Sequence, residues 1–172
     1  MERTWQRRAI LAGIAASMAI APPAGIAAEP SVLVYDVTSS GSPALPLLEI
    51  DAKARVRVRE VPGQIPEVRG QLTEYSLAAI LRVLVEDIGV LTIDDTRIEA
   101  EIRATDAARG SVPSIADGGV TRLVLDVPKG RNVIELHATA LKAGIYPDID
   151  DLQRLRQAET YLLELVGRLR AR

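Results

Sequence analysis

A chain of 172 residues with a net charge of −2, one histidine, no cysteine and no phenylalanine excludes several chemistries at once. Without a thiol there is no cysteine nucleophile, no thiolate metal site and no disulfide. A mildly acidic balance gives no global attraction to nucleic acid or anionic lipid, and the size suits a single domain with an aliphatic core.

Residues 1–28 read as a secretory signal peptide. Arg3, Arg7 and Arg8 precede an apolar run from Ala9 to Ala21, and Pro22-Pro23 leads into the small residues Ala24 to Ala28. The run is shorter than the roughly 20 apolar residues of a spanning helix. Cleavage after Ala28 is therefore expected, leaving residues 29–172 as one domain, periplasmic or secreted, with no membrane span. Arg7-Arg8 also fits a twin-arginine signal, and the sequence leaves the two export routes open.

Ser31 to Val37 is rich in β-branched residues and reads as a strand, followed by a Ser/Gly/Pro turn from Thr38 to Pro46. Ile50 to Glu60 shows strict alternation. Ile50, Ala52, Ala54, Val56 and Val58 fall on one face, and Asp51, Lys53, Arg55, Arg57 and Arg59 on the other, which predicts one half-buried strand. Pro62-Gly63 and Pro66 break it. Thr73 is a helix N-cap ahead of Leu77, Leu81, Leu84, Val85 and Ile88, and Gly89 is the stop. Asp94 or Asp95 caps a short second helix burying Ile98 and Ile102. Residues 104–119 lack periodicity and read as a loop with Arg109 at its apex. Val120 to Val127 and Asn132 to Thr139 form a hairpin around Pro128-Lys129-Gly130-Arg131, and Asp148 caps a last helix striped by Leu152, Leu155, Leu162, Val166 and Leu169. The expected fold is α+β: a four-stranded antiparallel sheet with helices on one face, in the order β-β-α-α-β-β-α.

The row Lys53, Arg55, Arg57, Arg59 is the first candidate binding surface. Alternate strand residues lie about 6.8 Å apart, so the row draws a basic line of about 20 Å. Arg122 and His137 extend it onto neighbouring strands. It reads either as a solvated face with cross-strand ion pairs or as a docking surface for an acidic partner or glycan. Loop 104–119 with Arg109 is the second candidate. A single histidine makes no zinc site by itself. Asp148, Asp150 and Asp151 lack the remaining ligands of a calcium loop, and a capped helix start explains them. No G-x-S-x-G, Ser-x-x-Lys, P-loop or G-x-G-x-x-G pattern occurs. The expectation is no catalytic residue, no metal and no cofactor. Without aromatic residues among the basic ones, nucleic acid is not the expected partner.

Several segments together resemble a known family. Val32 and a Ser/Gly turn precede the strand Leu48 to Glu60. Gly70-Gln71-Leu72-Thr73 opens a helix, and Asp117-Gly118-Gly119-Val120-Thr121 and Tyr146-Pro147 follow. This order is similar to the emfourin-like small bacterial proteins, some of which inhibit metalloproteases. Where those tend to carry a Gly-Gly-Phe-Ala-Gly turn, this chain has Ser40-Gly41-Ser42-Pro43. The resemblance implies a binding module whose partner is a protein. The expected function is an exported non-catalytic binding domain of protease-inhibitor type. An envelope scaffold dimerising through the C-terminal helix and a small hydrolase are the alternatives.

Overall fold

The computed structural model describes residues 30–38, 46–60, 64–115 and 118–171. The candidate leader 1–28, the Ser40 to Pro43 turn, Pro62-Gly63 and Asp117 lie outside the described residues. The strands are β1 (Ser31–Thr38), β2 (Leu48–Asp51), β3 (Arg55–Val58), β4 (Glu67–Gln71), β5 (Val120–Val127) and β6 (Gly130–His137). The helices are α1 (Glu74–Arg82), α2 (Asp95–Arg109), α3 (Thr139–Ile145) and α4 (Asp150–Arg170). The fold is α+β, and the described strands form an antiparallel sheet in the order β4-β3-β2-β1-β5-β6. No helix among the described residues is long and apolar enough to cross a membrane.

Among the described residues six strands replace the expected four, for two reasons. The alternating segment Ile50 to Glu60 is a hairpin, not one strand. Leu48 pairs with Val58, Glu49 with Arg57 and Ile50 with Val56. Directly opposed residues share a face, so a register that pairs even numbers with even numbers carries the alternation through the turn unbroken. Asp51 makes that turn. Its Oδ1 accepts from the Lys53 N–H at 2.9 Å and the Arg55 N–H at 3.0 Å, and its Oδ2 accepts from Arg55 Nε at 2.6 Å. The three-residue loop closes on Ala54 at φ +59, the left-handed residue such loops need. Secondly, Gly70 and Gln71 end β4 instead of opening a helix, and Thr73 caps α1 by accepting from the Ser76 N–H. All five residues of β4 are exposed, so it lacks the apolar alternation that marks a strand.

Three further expectations change. The second helix is not short: α2 runs through residue 109, where Gly110 at φ +67 terminates it. Its start is as expected, with the Asp94 side chain accepting from the Arg97 N–H. The hairpin's second strand stops at His137, and Ala138 at φ +55 turns the chain into α3, a helix absent from the expected order. Finally, Ile149 and not Asp148 is the N-cap of α4.

Alternate residues of the central strands, Leu33 and Tyr35 on β1, Leu123 and Leu125 on β5, and Ile134 and Leu136 on β6, bury against the helices. The helices contribute Leu84, Ile98, Ile102, Leu152, Leu155 and Leu162 to the same core. Thus the apolar stripe of α4 is spent inside its own domain. Asn132 ties the sheet to the connection before α2, donating at 2.8 Å to the carbonyls of both Val90 and Ile93. Buried Asp151 ties α4 to α2, accepting from the Asp94 N–H at 3.1 Å and from Arg97 and Arg154.

The turn residue Ala54 offers a direct check. A non-glycine residue in the left-handed region carries roughly 1–2 kcal/mol of strain, and glycine costs roughly 0.5–1 kcal/mol in chain entropy. Ala54→Gly should therefore stabilise the protein by about 0.5 kcal/mol, read as a higher urea midpoint at an unchanged slope.

Candidate functional site

The basic row is folded back on itself. Arg55, Arg57 and Arg59 lie on the sheet face away from the helices, and Lys53 sits in the β2–β3 turn. Arg55 pairs with Asp51 at 2.6 Å and Arg57 with Glu49 at 3.3 Å. Arg59 is buried beside Asp36 at 3.0 Å, and Arg122 pairs with Glu135 on β6 at 2.9 Å. The alternation therefore places three guanidinium groups on this face and β5 adds Arg122, but the fold sets a carboxylate against each. Such cross-strand pairs fix register and neutralise the face more than they attract an acidic partner.

His137 ends β6 opposite Val120, half-buried near Gly118. Arg109 is not at a loop apex. It closes α2 with its guanidinium 5.4 Å from the centre of the Tyr146 ring, and it donates to the Ile145 carbonyl at 3.3 Å. The Tyr146 hydroxyl donates to buried Asp106 at 2.8 Å. This cluster locks α2 to the end of α3.

The carboxylates that frame the sheet give a pH dependence. Burial alone would raise the Asp51 carboxyl, but hydrogen bonds from the Arg55 backbone and side chain outweigh it and hold the group below the usual carboxylate range. Asp151 is likewise lowered: burial opposes, and bonds from Arg97, the Asp94 backbone and Arg154 prevail. Asp36 is raised, because burial outweighs the Arg59 charge. The signs differ. On acidification Asp36 takes its proton in the folded chain before the unfolded one does, so that step favours the fold. Asp51 and Asp151 stabilise above the unfolded value of about 3.9, and their contribution is lost as the pH falls below it. Urea denaturation across pH should show a maximum on the acid side of neutrality and a steep fall below about pH 4. Asp36→Asn should flatten the upper limb alone.

A different place collects the features of a site. Where β1 ends and β5 begins, against α3 and α4, a cleft of about 180 Å³ opens between Tyr35, Val37, Thr121, Leu141, Glu159 and Leu163. Its floor is a polar chain inside the core. The Thr139 hydroxyl donates to Thr121 Oγ1 at 3.0 Å, Thr121 donates to Glu159 Oε1, and Arg156 Nη1 donates to Glu159 Oε2 at 3.1 Å. Thr121, Thr139 and Glu159 are all buried. Beside them the Tyr35 hydroxyl, on a side chain with no exposed surface, has no hydrogen-bond partner among the described residues. Burial, and then the Glu159 charge, raise its pKa, so it stands as a protonated donor.

The backbone around the cleft is tightly built. The Ala138 N–H donates to the Gly119 carbonyl at 2.8 Å, and a Cβ on Gly118 would lie 2.4 Å from the Ala138 methyl. A Cβ on Gly119 would lie 2.9 Å from Val37 Cγ1. Only glycine lets this segment approach so closely. At the mouth, Val37, Leu141 and Leu163 are 36%, 51% and 43% exposed, three of the eight large apolar side chains exposed among the described residues. A roomier hollow of about 330 Å³ between α1 and the β5–β6 turn is lined by Leu81, Val85 and Val127 with Lys129 paired to Glu86 at its edge. It holds no buried polar group, so the smaller cleft is the better candidate.

The sequence pattern marks none of the cleft's polar residues as a site residue, although it carries two signals. Glu159 lies four residues after Leu155 and three before Leu162, inside the apolar stripe of α4, where a carboxylate is buried and needs partners. Thr121 likewise sits on the core face of β5, in phase with Leu123 and Leu125. Comparison of the chain with protein-family models, with curated proteins and with solved structures finds no match.

Proposed function

We propose that this chain is an exported, non-catalytic binding domain that holds a protein partner at the cleft between β1, β5, α3 and α4. The leader pattern of residues 1–28 supports export, with Glu29 as the mature N-terminus. The observation that carries the site is a buried hydroxyl with no partner among the described residues, beneath a rim of three exposed aliphatic side chains. A desolvated polar anchor inside an apolar ring is how binding energy concentrates in protein interfaces. The charged sheet face is the weaker candidate, since its arginines already face carboxylates. Dimerisation through α4 is also disfavoured, because the helix's stripe is buried in its own core. Inhibition of a metalloprotease is the form of binding that the emfourin-like resemblance implies.

The test is recovery of the tagged full-length protein from outside the cytoplasm of its own cells, with N-terminal sequencing and identification of what co-purifies. Leu141→Asp with Leu163→Asp should abolish the co-purifying protein and leave the thermal midpoint within a few degrees. Reversing a pair on the sheet face, Glu49→Arg with Arg57→Glu, should leave it bound. Loss on the sheet-face swap with retention on the rim variant would overturn the assignment.

A further inference from the structure

The donors and acceptors of the cleft floor can be counted. Thr121 passes on the hydrogen bond it receives from Thr139, and Glu159 accepts from Thr121 on one oxygen and from Arg156 on the other. Among the described residues the Tyr35 hydroxyl is the one fully buried donor of the floor without a partner, while Arg156, 41% exposed, keeps N–H groups beyond the one given to Glu159. The unspent acceptors are second lone pairs on the Glu159 oxygens and the unused lone pairs of the Thr121 and Thr139 hydroxyls. A ligand that completes this floor presents one acceptor and at least one donor together.

Charge narrows the choice further. The Glu159 carboxylate already faces Arg156, so the floor is neutral as a pair. An entering carboxylate would lie against Glu159 with no further cation among the residues that line the cleft. An entering ammonium would bring three donors and no acceptor, leaving Tyr35 unsatisfied. Burying either charge costs far more than burying a neutral polar group. The walls are aliphatic, with Val37, Leu141 and Leu163 at the mouth, and suit methylene groups. The volume of about 180 Å³ equals that of roughly six liquid waters at ~30 Å³ each, enough for one side chain but not for a folded segment.

Resting on the reading of this cleft as the docking site, we propose that it takes an uncharged primary carboxamide on a short aliphatic stem, the chemistry of a glutamine or asparagine side chain of the partner. The amide oxygen accepts from Tyr35, the amide nitrogen donates to Glu159, and the stem packs on the rim. Discrimination against the corresponding acid follows from the same arrangement, because the acid loses the donor and gains a charge beside Glu159.

Propionamide, sodium propionate and propylammonium chloride, titrated at equal ionic strength into the 15N-labelled full-length protein, separate these classes. Propionamide alone should give saturating shifts at the amides of Gly119, Thr121 and Ala138. Tyr35→Phe should weaken it at least fivefold, and Leu163→Glu, an exposed rim change, should do the same without unfolding the chain. The melting temperature of Tyr35→Phe should hold or rise, since an unsatisfied buried hydroxyl is removed. Equal or stronger shifts with propionate or propylammonium, shifts confined to other residues, no shift with any probe, or full affinity in Tyr35→Phe would each overturn the carboxamide assignment. Those outcomes would leave the docking site itself to stand or fall on the rim variants, which do not depend on the chemistry of the ligand.

Discussion

Asp51→Ala should cost about 3 kcal/mol of folding stability, a large share of what a domain of this size has. The side chain has no exposed surface and is the acceptor around which the β2–β3 turn is wound. Removing it strands the N–H groups of Lys53 and Arg55 and releases the Arg55 guanidinium. A hydrogen bond to a charged group is worth roughly 1.5–3 kcal/mol, but the three bonds are not additive, and Arg55 is 40% exposed, so its charge regains water cheaply. Asp51→Asn keeps the shape and one acceptor, and should lose about 1 kcal/mol. Urea denaturation at neutral pH measures both. A loss of under about 0.5 kcal/mol for Asp51→Ala would show that cross-strand packing alone holds the hairpin.

Glu159→Ala should be comparably severe, at about 3 kcal/mol. It leaves the Thr121 and Thr139 hydroxyls buried without their terminal acceptor and opens a void beneath Tyr35. Arg156 is 41% exposed and can turn to solvent, which keeps the cost below that of a fully buried broken pair. Glu159→Gln preserves the volume and an acceptor for Thr121, so it should lose only about 1 kcal/mol. The pair of variants separates polar satisfaction from packing. Equal losses would mean that the carboxylate charge itself, held by Arg156, does most of the stabilising.

The parts of the fold legible in the sequence are those where one face pattern belongs to one element. The β5–β6 hairpin, the start of α1 at Thr73, the Asp94 cap and the stripe of α4 all follow from period and capping residues. Period alone cannot locate a turn, which is why Ile50 to Glu60 reads as one strand. Asp51 and Lys53 belong as readily to an alternating strand as to a turn, and the loop's left-handed residue is Ala54 instead of the usual glycine. β4 is hidden for the opposite reason, since a fully exposed edge strand carries no apolar signal. The last turns of α2 carry no apolar stripe to mark them as helix, since between Arg103 and Arg109 only Asp106 is buried.

The candidate surface was legible as positions, not as chemistry. Alternation places Arg55, Arg57 and Arg59 on one face, but their partners Asp51, Glu49 and Asp36 come from the turn, from β2 and from β1. Strand pairing brings Glu49 to Arg57 and Asp36 to Arg59, whereas Asp51 meets Arg55 across the turn, four residues away. The cleft depends on the same kind of long-range assembly. Tyr35, Thr121, Thr139 and Glu159 come from four elements and share no local motif.

The most direct measurement of whether the cleft is the working surface is a paired photo-crosslink in the protein's own cells. A photoreactive residue replaces Leu163 at the rim in one variant and Arg57 on the sheet face in the other. The expected result is one discrete adduct from position 163, lost when Leu141→Asp is added, and none from position 57. An adduct from position 57 alone would place the partner on the charged sheet face and contradict the assignment.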